Sequence, residues 1–244
     1  MSLFEKSADY YDLIYDAVGK DYVREAKRIR RLIHLYKRSS GNTLLDVACG
    51  TGRHLQFLKH YFRAEGLDLD PQLLKIAQNR NPDLLFHREN MLTFNLHKQF
   101  DVITCLFSAI GYMKTAPQLG RAIRNMGRHL KPGGVLIVEP WLTPTRYQPG
   151  RIDAVFVKQP KLKIVRMNRT SAQGNLSILD FHYLIGNPQG VKYAKEVHRF
   201  GLFTHKQYMK SFHAAGLKVH YGSRGLMGRG LYAGTKPLAP LTRT

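Results

Sequence analysis

The stretch Leu44–His54, LLDVACGTGRH, constrains the fold of this chain more than any other. Leu44, Leu45 and Val47 form a short apolar run of the kind found in a strand buried on both faces. Asp46 lies near its end, and Gly50 and Gly52 follow with one residue between them. From Gly52 the spacing becomes helical, with Leu55, Phe57 and Leu58 on one face and Lys59 outside. Strand, glycine turn and helix bring the backbone of an open α/β sheet close to a nucleotide-like ligand at the carboxyl ends of its strands. A glycine pair alone marks only a turn. A second acidic group about twenty residues on, in Glu65-Gly66-Leu67-Asp68-Leu69-Asp70, strengthens the reading, because a carboxylate there can accept both hydroxyls of a ribose. After Gly52 there is no third glycine to admit a pyrophosphate, and no Gly-Lys-Ser/Thr follows to make a P-loop.

The rest of the first 140 residues alternates. Strand patterns at 43–48, 64–68, 84–87, 100–106 and 135–139 are separated by helical patterns at 52–61, 71–79 and 116–130. Such alternation predicts a parallel sheet with helices on both faces. Upstream, 21–38 reads as a helix with Val23, Ala26, Ile29, Ile33 and Tyr36 inward and a basic outer face. Residues 1–19 carry Phe4, Tyr10, Tyr11, Ile14 and Tyr15, too aromatic for a disordered tail, and read as a lid. After Pro140 the pattern changes to period-two segments with turns at 172–174 and 186–188, which predicts an antiparallel insertion. A helix over 204–215, closed by Gly216, and strands at 217–221 and 230–235 return the chain to the core. The expected division is 1–140 for lid and ligand-binding core, 141–201 for the insertion on the substrate or oligomer side, and 202–244 for the return.

Composition narrows the class. The 244 residues are 43% hydrophobic with a mean hydropathy of −0.32, and no apolar run approaches the ~18 residues of a membrane helix. Two cysteines, Cys49 and Cys105, suit a reducing compartment, so a cytoplasmic location is expected. Lys and Arg number 38 against 17 acidic residues, a net charge of +21. That balance suits phosphate-bearing partners or a basic proteome, and the charge is scattered, not gathered in one block.

The spacing D-x-A-C-G-T-G followed by G-L-D-L-D resembles the S-adenosylmethionine (SAM) site of class I methyltransferases. A narrower resemblance, to the N,N-dimethyltransferases of nucleotide-linked deoxyamino sugars (the desosamine and mycaminose type), rests on longer stretches. These are Tyr11-Asp12-Leu13, Gly19-Lys20-Asp21-Tyr22, FSAIGYMKT at 107–115, VEPW at 138–141, HYL at 182–184, LFTHKQY at 202–208, FHAAGL at 212–217 and GRGLYAG at 228–234. The resemblance implies an α/β fold with a Rossmann-like sheet, mostly parallel with its last strand antiparallel, and a β insertion after the fifth strand. It implies SAM as methyl donor, held by Tyr11, Tyr22, Asp46, Ala48, Gly50, Asp68, Leu69, Asn90, Met91 and Leu106. Asn90 stands where the family has an acid toward the adenine amino group. Tyr112 is expected to orient the substrate amine and Glu25 to hold the amine or a lid residue. Phe4, Trp141, Arg166, His182 and Arg229 are expected on the substrate side, with Arg229 as phosphate clamp.

Transfer to a neutral amine needs orientation and water exclusion, worth up to ~7–11 kcal/mol, and no metal. His182 and His198 lack a third ligand at suitable spacing, so no metal is expected. The expected partner is a phosphate-bearing small molecule, with a homodimer consistent with the family and no membrane. A nucleic-acid methyltransferase is the alternative raised by the charge. It is disfavoured because Leu106-Phe107-Ser108-Ala109 stands where a base-holding Asn/Asp-Pro-Pro-Tyr/Phe run belongs. A SAM-binding module without catalysis is the third reading.

Overall fold

The computed structural model describes residues 4–238. A seven-stranded sheet forms the core, with β1 (Thr43–Val47), β2 (Arg63–Asp68), β3 (Leu85–Arg88), β4 (Phe100–Cys105), β5 (Leu130–Val138), β10 (Lys218–Gly222) and β11 (Leu231–Thr235). Its order is β10-β11-β5-β4-β1-β2-β3. β1 to β5 pair in parallel, and β11 pairs antiparallel to β5 and to β10. The remaining strands, β6 (Ile152–Gln159), β7 (Leu162–Gln173), β8 (Leu176–Asn187) and β9 (Gly190–Gly201), make a separate antiparallel meander inserted after β5. This is the sheet plan expected from the sequence.

Strand alternation explains the two-sided core. Leu44, Val102, Val135 and Ile137 point to one face, where they meet Ile29 and Ile33 of α2 (Tyr22–Tyr36), Leu55 and Leu58 of α3 (Arg53–Leu58), and Leu74 of α4 (Pro71–Arg80). Leu45, Val47, Ile103, Leu136 and Val138 point the other way, onto Ile123 and Met126 of α5 (Ala116–Arg128) and Tyr208 and Phe212 of α6 (His205–Ala214). The helices begin where side chains cap them. Asp21, Asp70, Thr115 and Thr204 each accept a first-turn N–H, and Thr204 with Gln207 closes a capping box.

Two expectations change in detail. The buried face of α2 is Tyr22, Glu25, Ala26, Ile29 and Ile33, while Val23 is 43% exposed. The helix docks along the 22-26-29-33 row, which turns position 23 outward. β5 starts at Leu130 and not at 135, because Lys131-Pro132-Gly133-Gly134 forms a bulge within the strand, between the Phe100–Leu130 and Val102–Val135 pairs.

The N-terminal segment lies between the two sheets. Ile14 of α1 (Tyr11–Ala17) is buried against Val157, Ile164, Tyr183 and Ile185 of the insertion. On the other side Thr51 donates to Asp12 at 2.8 Å, Arg80 joins both, and Arg53 pairs with Asp16 at 2.6 Å. Among the described residues no helix is long and apolar enough to cross a membrane.

Gly52, the residue before α3, sits at φ +71°, and a Cβ there would lie 2.9 Å from Asn81 Nδ2 and 3.1 Å from Ala77 Cβ. Gly52→Ala is expected to cost about 1–2 kcal/mol in backbone strain alone. Thermal unfolding checks this, at ~2–4 °C per kcal/mol for a chain of this size.

Candidate active site

A cavity of about 660 Å³ runs between the carboxyl ends of β1, β2 and β4 and the inner face of the insertion, under α1. Its floor begins with a strained loop. Ala48 (φ +57°) and Gly50 (φ +57°) are left-handed, and a Cβ on Gly50 would meet no atom within 4 Å. The loop backbone is therefore bare toward the cavity. Asp68 fixes it, with Oδ2 accepting the Gly50 N–H at 2.8 Å and Oδ1 the Asp70 N–H at 2.9 Å.

Both strand-end acids are buried. Burial pushes Asp68 up to about 6, against the pull of the Asp70 and Gly50 N–H groups. It pushes Asp46 up to about 7, against the hydroxyl of Thr104, which donates at 2.7 Å. Beside them Leu69, Asn90 and Met91 line the same end. The Asn90 side-chain oxygen accepts the Leu92 N–H at 2.9 Å, which orders the turn after β3.

The loop after β4 is also strained, with Phe107 at φ +51° and Ser108 at φ +62°. Two adjacent left-handed residues other than glycine need anchoring. The Phe107 N–H donates to Glu139 and Ser108 Oγ to the Pro140 carbonyl, each at 2.7 Å. Arg229 Nη1 donates to the same Ser108 Oγ at 2.7 Å, and its guanidinium lies 4.9 Å from the Trp141 ring. Past this loop a short 3-10 turn (Ala109–Tyr112) presents Tyr112. Burial, reinforced by Tyr15 and Asp68, raises its phenol well above the ordinary value.

Of the residues singled out in the sequence, Phe4, Tyr11, Tyr22, Asp46, Ala48, Gly50, Asp68, Leu69, Asn90, Met91, Leu106, Tyr112, Trp141, Arg166 and Arg229 all line this cavity. Two do not. Glu25 sits behind the wall, where its carboxylate takes Lys20 Nζ at 2.8 Å and His54 Nε2 at 2.7 Å. The Lys20 head group is fully buried and lies 3.9 Å from the Phe107 ring. Glu25 therefore braces lid and floor and is kept from the substrate amine by those partners. His182 is on the outer face of the insertion, bonded to Tyr193 Oη at 2.7 Å. The inner face of β8 carries Leu179, Phe181 and Tyr183, so period-two alternation turns His182 away.

The structure adds residues that sequence reasoning missed. His198 lines the cavity and stands 2.8 Å from the Tyr112 hydroxyl. Tyr15, Arg53, Arg146 and Arg151 line it as well. A signal for His198 existed, since Glu196 and His198 are polar residues on the inward alternation of β9.

Comparison with known proteins agrees with this fold. The methyltransferase-domain family model matches residues 44–134. The chain is 39% identical to the dTDP-3-amino-3,6-dideoxy-alpha-D-glucopyranose N,N-dimethyltransferase of Streptomyces fradiae, over 93% of this chain and 89% of that one. The chain belongs to the nucleotide-linked amino-sugar N,N-dimethyltransferases, a class I methyltransferase family. The family fold extends through the insertion. The crystal structure of Streptomyces venezuelae DesVI superposes with a TM-score of 0.90 at 38% identity, covering 95% of this chain and 98% of that one. SAM-bound CalS10, an amino pentose methyltransferase from Micromonospora echinaspora, gives 0.85 at 35% identity, covering 93% and 96%.

Asp46 and Asp68 hold their protons to higher pH in the folded chain than in the unfolded one. Their contribution to stability is complete below about pH 4 and lost as pH rises through about 7. Asp46→Asn keeps an acceptor for Thr104 and removes the titration. Its melting temperature should exceed that of the parent near pH 8 and match it near pH 4. An equal effect at both pH values would show that the Asp46 carboxyl ionises normally.

Proposed function

We propose that this protein methylates the amino group of a nucleotide-linked amino sugar, with SAM as methyl donor. The observation that carries the phosphate-linked substrate is Arg166. It is buried, with 9% of its surface exposed, faces the cavity, and its Nε finds no hydrogen-bond partner among the described residues; the rings of Phe181 at 4.9 Å and Tyr15 at 5.5 Å lie beside its guanidinium. An unpaired buried guanidinium is costly until an anion meets it. Arg229, stacked on Trp141, adds a second guanidinium on this cavity, and the pair matches the bidentate chemistry of phosphate.

The residues at the other end fit the donor. The bare Gly50 backbone allows close approach of the amino-acid part, with Tyr11, Tyr22, Ala48 and Leu106 around it. A carboxylate has about four lone-pair sites, so Asp68 can receive ribose hydroxyls beside its two backbone donors. Leu69 and Met91 offer apolar walls to adenine, and the Asn90 oxygen keeps a lone pair for its amino group. When bound, SAM supplies a methyl group activated by its sulfonium sulfur. The protein's own contribution is positioning: Tyr112 orients the nitrogen, and Phe4 and Trp141 shield the sugar from water. In this reading residues 1–140 carry lid and donor site, 141–201 the substrate side and 202–244 the return to the core. The free, buried Cys49 and Cys105 suit a cytoplasmic enzyme.

The experiment is incubation with SAM and a panel of nucleotide-linked amino sugars, read by mass spectrometry as the gain of one or two methyl groups. No gain with any member overturns the substrate class. Arg166→Met should lose about tenfold or more in affinity for the phosphate-linked sugar yet melt no lower than the parent, because a buried unpaired charge has gone. Arg229→Ala should raise KM for the phosphate-linked sugar and leave that for the free sugar unchanged.

We also propose that a second copy covers the outer face of the insertion. Phe156, Val165, Leu184 and Tyr193 form one row across β6 to β9 there, and Phe156, Leu184 and Tyr193 are each at least half exposed. Such a row on a twofold-symmetric pair meets its own copy. Sedimentation should give a dimer for the parent and a monomer for Leu184→Lys; a monomeric parent overturns the pairing.

A further inference from the structure

Phe107 is gripped by two side chains of the lid. The turn between α1 and α2 passes through Gly19 at φ +74°, and the Lys20 N–H donates to the Tyr15 carbonyl at 3.1 Å. That bond sets Lys20 and Tyr15 as a pair of jaws. The Lys20 ammonium stands 3.9 Å from the centre of the Phe107 ring, and the Tyr15 ring meets the same ring at 87° with centres 4.7 Å apart. The Lys20 head group is fully buried and donates to both oxygens of Glu25 at 2.8 Å. Glu25 also pairs with His54 Nε2, so the ammonium is held from α2 and α3 together. An ammonium stripped of water is drawn to an aromatic face more strongly than an exposed one.

From Phe107 the contacts run on to the phosphate side of the cavity. The Phe107 N–H donates to Glu139 Oε2, and the next hydroxyl, Ser108 Oγ, accepts Arg229 Nη1, each at 2.7 Å. Phe107 and Ser108 are both left-handed, a conformation that side-chain-bearing residues keep only when their surroundings over-determine it. The bond to Glu139 and the grip on the ring are such determinants, and the place of Ser108 Oγ follows from them. The Arg229 guanidinium also lies 5.8 Å from the centre of the Phe107 ring. Glu139 is fully buried, and burial pushes its carboxyl up against the pull of Arg229 and then of Lys20. One acid therefore feels both the lid's cation and the clamp's. The Trp141 ring holds Arg229 by distance, whereas the hydrogen bond to Ser108 holds it by direction as well.

An apolar side chain of the same length could fill the space behind Phe107 without the desolvation that a buried ion pair incurs. We propose that Lys20 is a positioning residue for the substrate's phosphates: it seats the Phe107–Ser108 corner and, through the Ser108 hydroxyl, fixes where the Arg229 guanidinium points. This rests on the phosphate-binding reading of Arg229 given above. Lys20 acts from behind the Phe107 ring and does not line the cavity. The lid that covers the donor end thereby sets the anion clamp on the substrate side.

Lys20→Met keeps the length of the side chain and removes its charge, leaving Glu25 with His54. The probe is thymidine diphosphate, titrated calorimetrically in the presence of S-adenosylhomocysteine. We expect Lys20→Met to weaken it at least about fivefold, while the affinity for S-adenosylhomocysteine stays within about twofold of the parent's. In turnover, KM for the nucleotide-linked sugar should rise by the same factor, with kcat and the KM for the free sugar unchanged. A double-mutant cycle separates positioning from packing. If Lys20 acts through Arg229, adding Lys20→Met to Arg229→Ala should weaken thymidine diphosphate no further, whereas a packing defect adds its effect in either background. Because Lys20→Met leaves a buried acid with one partner fewer, the cycle is repeated with Lys20→Met/Glu25→Gln, which removes both charges of the pair. Parent-like affinity for thymidine diphosphate in both variants, or losses that add to that of Arg229→Ala, overturns the proposal. A parent that binds no thymidine diphosphate overturns it together with the phosphate reading. A cycle that closes as expected in a parent that methylates no amino sugar upholds the positioning role and overturns amine methylation alone.

Discussion

The contact on which the rest depends is the Asp68 carboxylate reaching across from β2 to the Gly50 N–H in the loop after β1. It locks a left-handed loop that no apolar packing could hold, and does so with a group that also faces the cavity. The cost is burial of a carboxylate beside a second acid, Asp46, and both are pushed toward neutrality.

The cavity is polarised along its length. Asp46 and Asp68 stand over the first two strand ends, while Arg166 and Arg229 come from the insertion and the segment before β11. Arg166 lies against the rings of Phe181 and Tyr15, and Arg229 against Trp141 and a serine hydroxyl, with its charge felt by the buried Glu139. Arg53, Arg146 and Arg151 line the cavity as well, while other basic residues lie on outer surfaces such as that of α2. The lid joins the two ends. Asp12 and Asp16 hold it to the glycine loop and α4, and Lys6 and Ser7 hold it to Glu196 of the insertion.

Much of this was legible in the chain itself, for local reasons. The spacing of Asp46, Gly50 and Asp68 follows from strand length and a tight turn, so the residues at the β1 and β2 ends could be named one by one. Tyr112, Trp141 and Arg229 were reached through family resemblance and do line the cavity. The failures have one cause. Glu25 and His182 were placed by matching position, and neither match carried which way the side chain points. In Glu25 the answer depends on Lys20 and His54, and in His182 on which face of a two-faced sheet packs inward. His198 was weighed in the sequence only as a metal ligand, because the partner it meets is 86 positions away in the chain.

By itself the sequence determined the strand–loop–helix order, the caps, the acidic pair and the change to period-two strands after Pro140, since each depends on neighbours within a few residues. Only the tertiary structure decided which insertion face closes over the strand ends, that Arg166 Nε finds no partner among the described residues, and that Tyr112, His198 and Glu196 fall into line. Those outcomes are set by packing the lid between two sheets, and packing is a property of surfaces that meet across the fold, which no local spacing encodes.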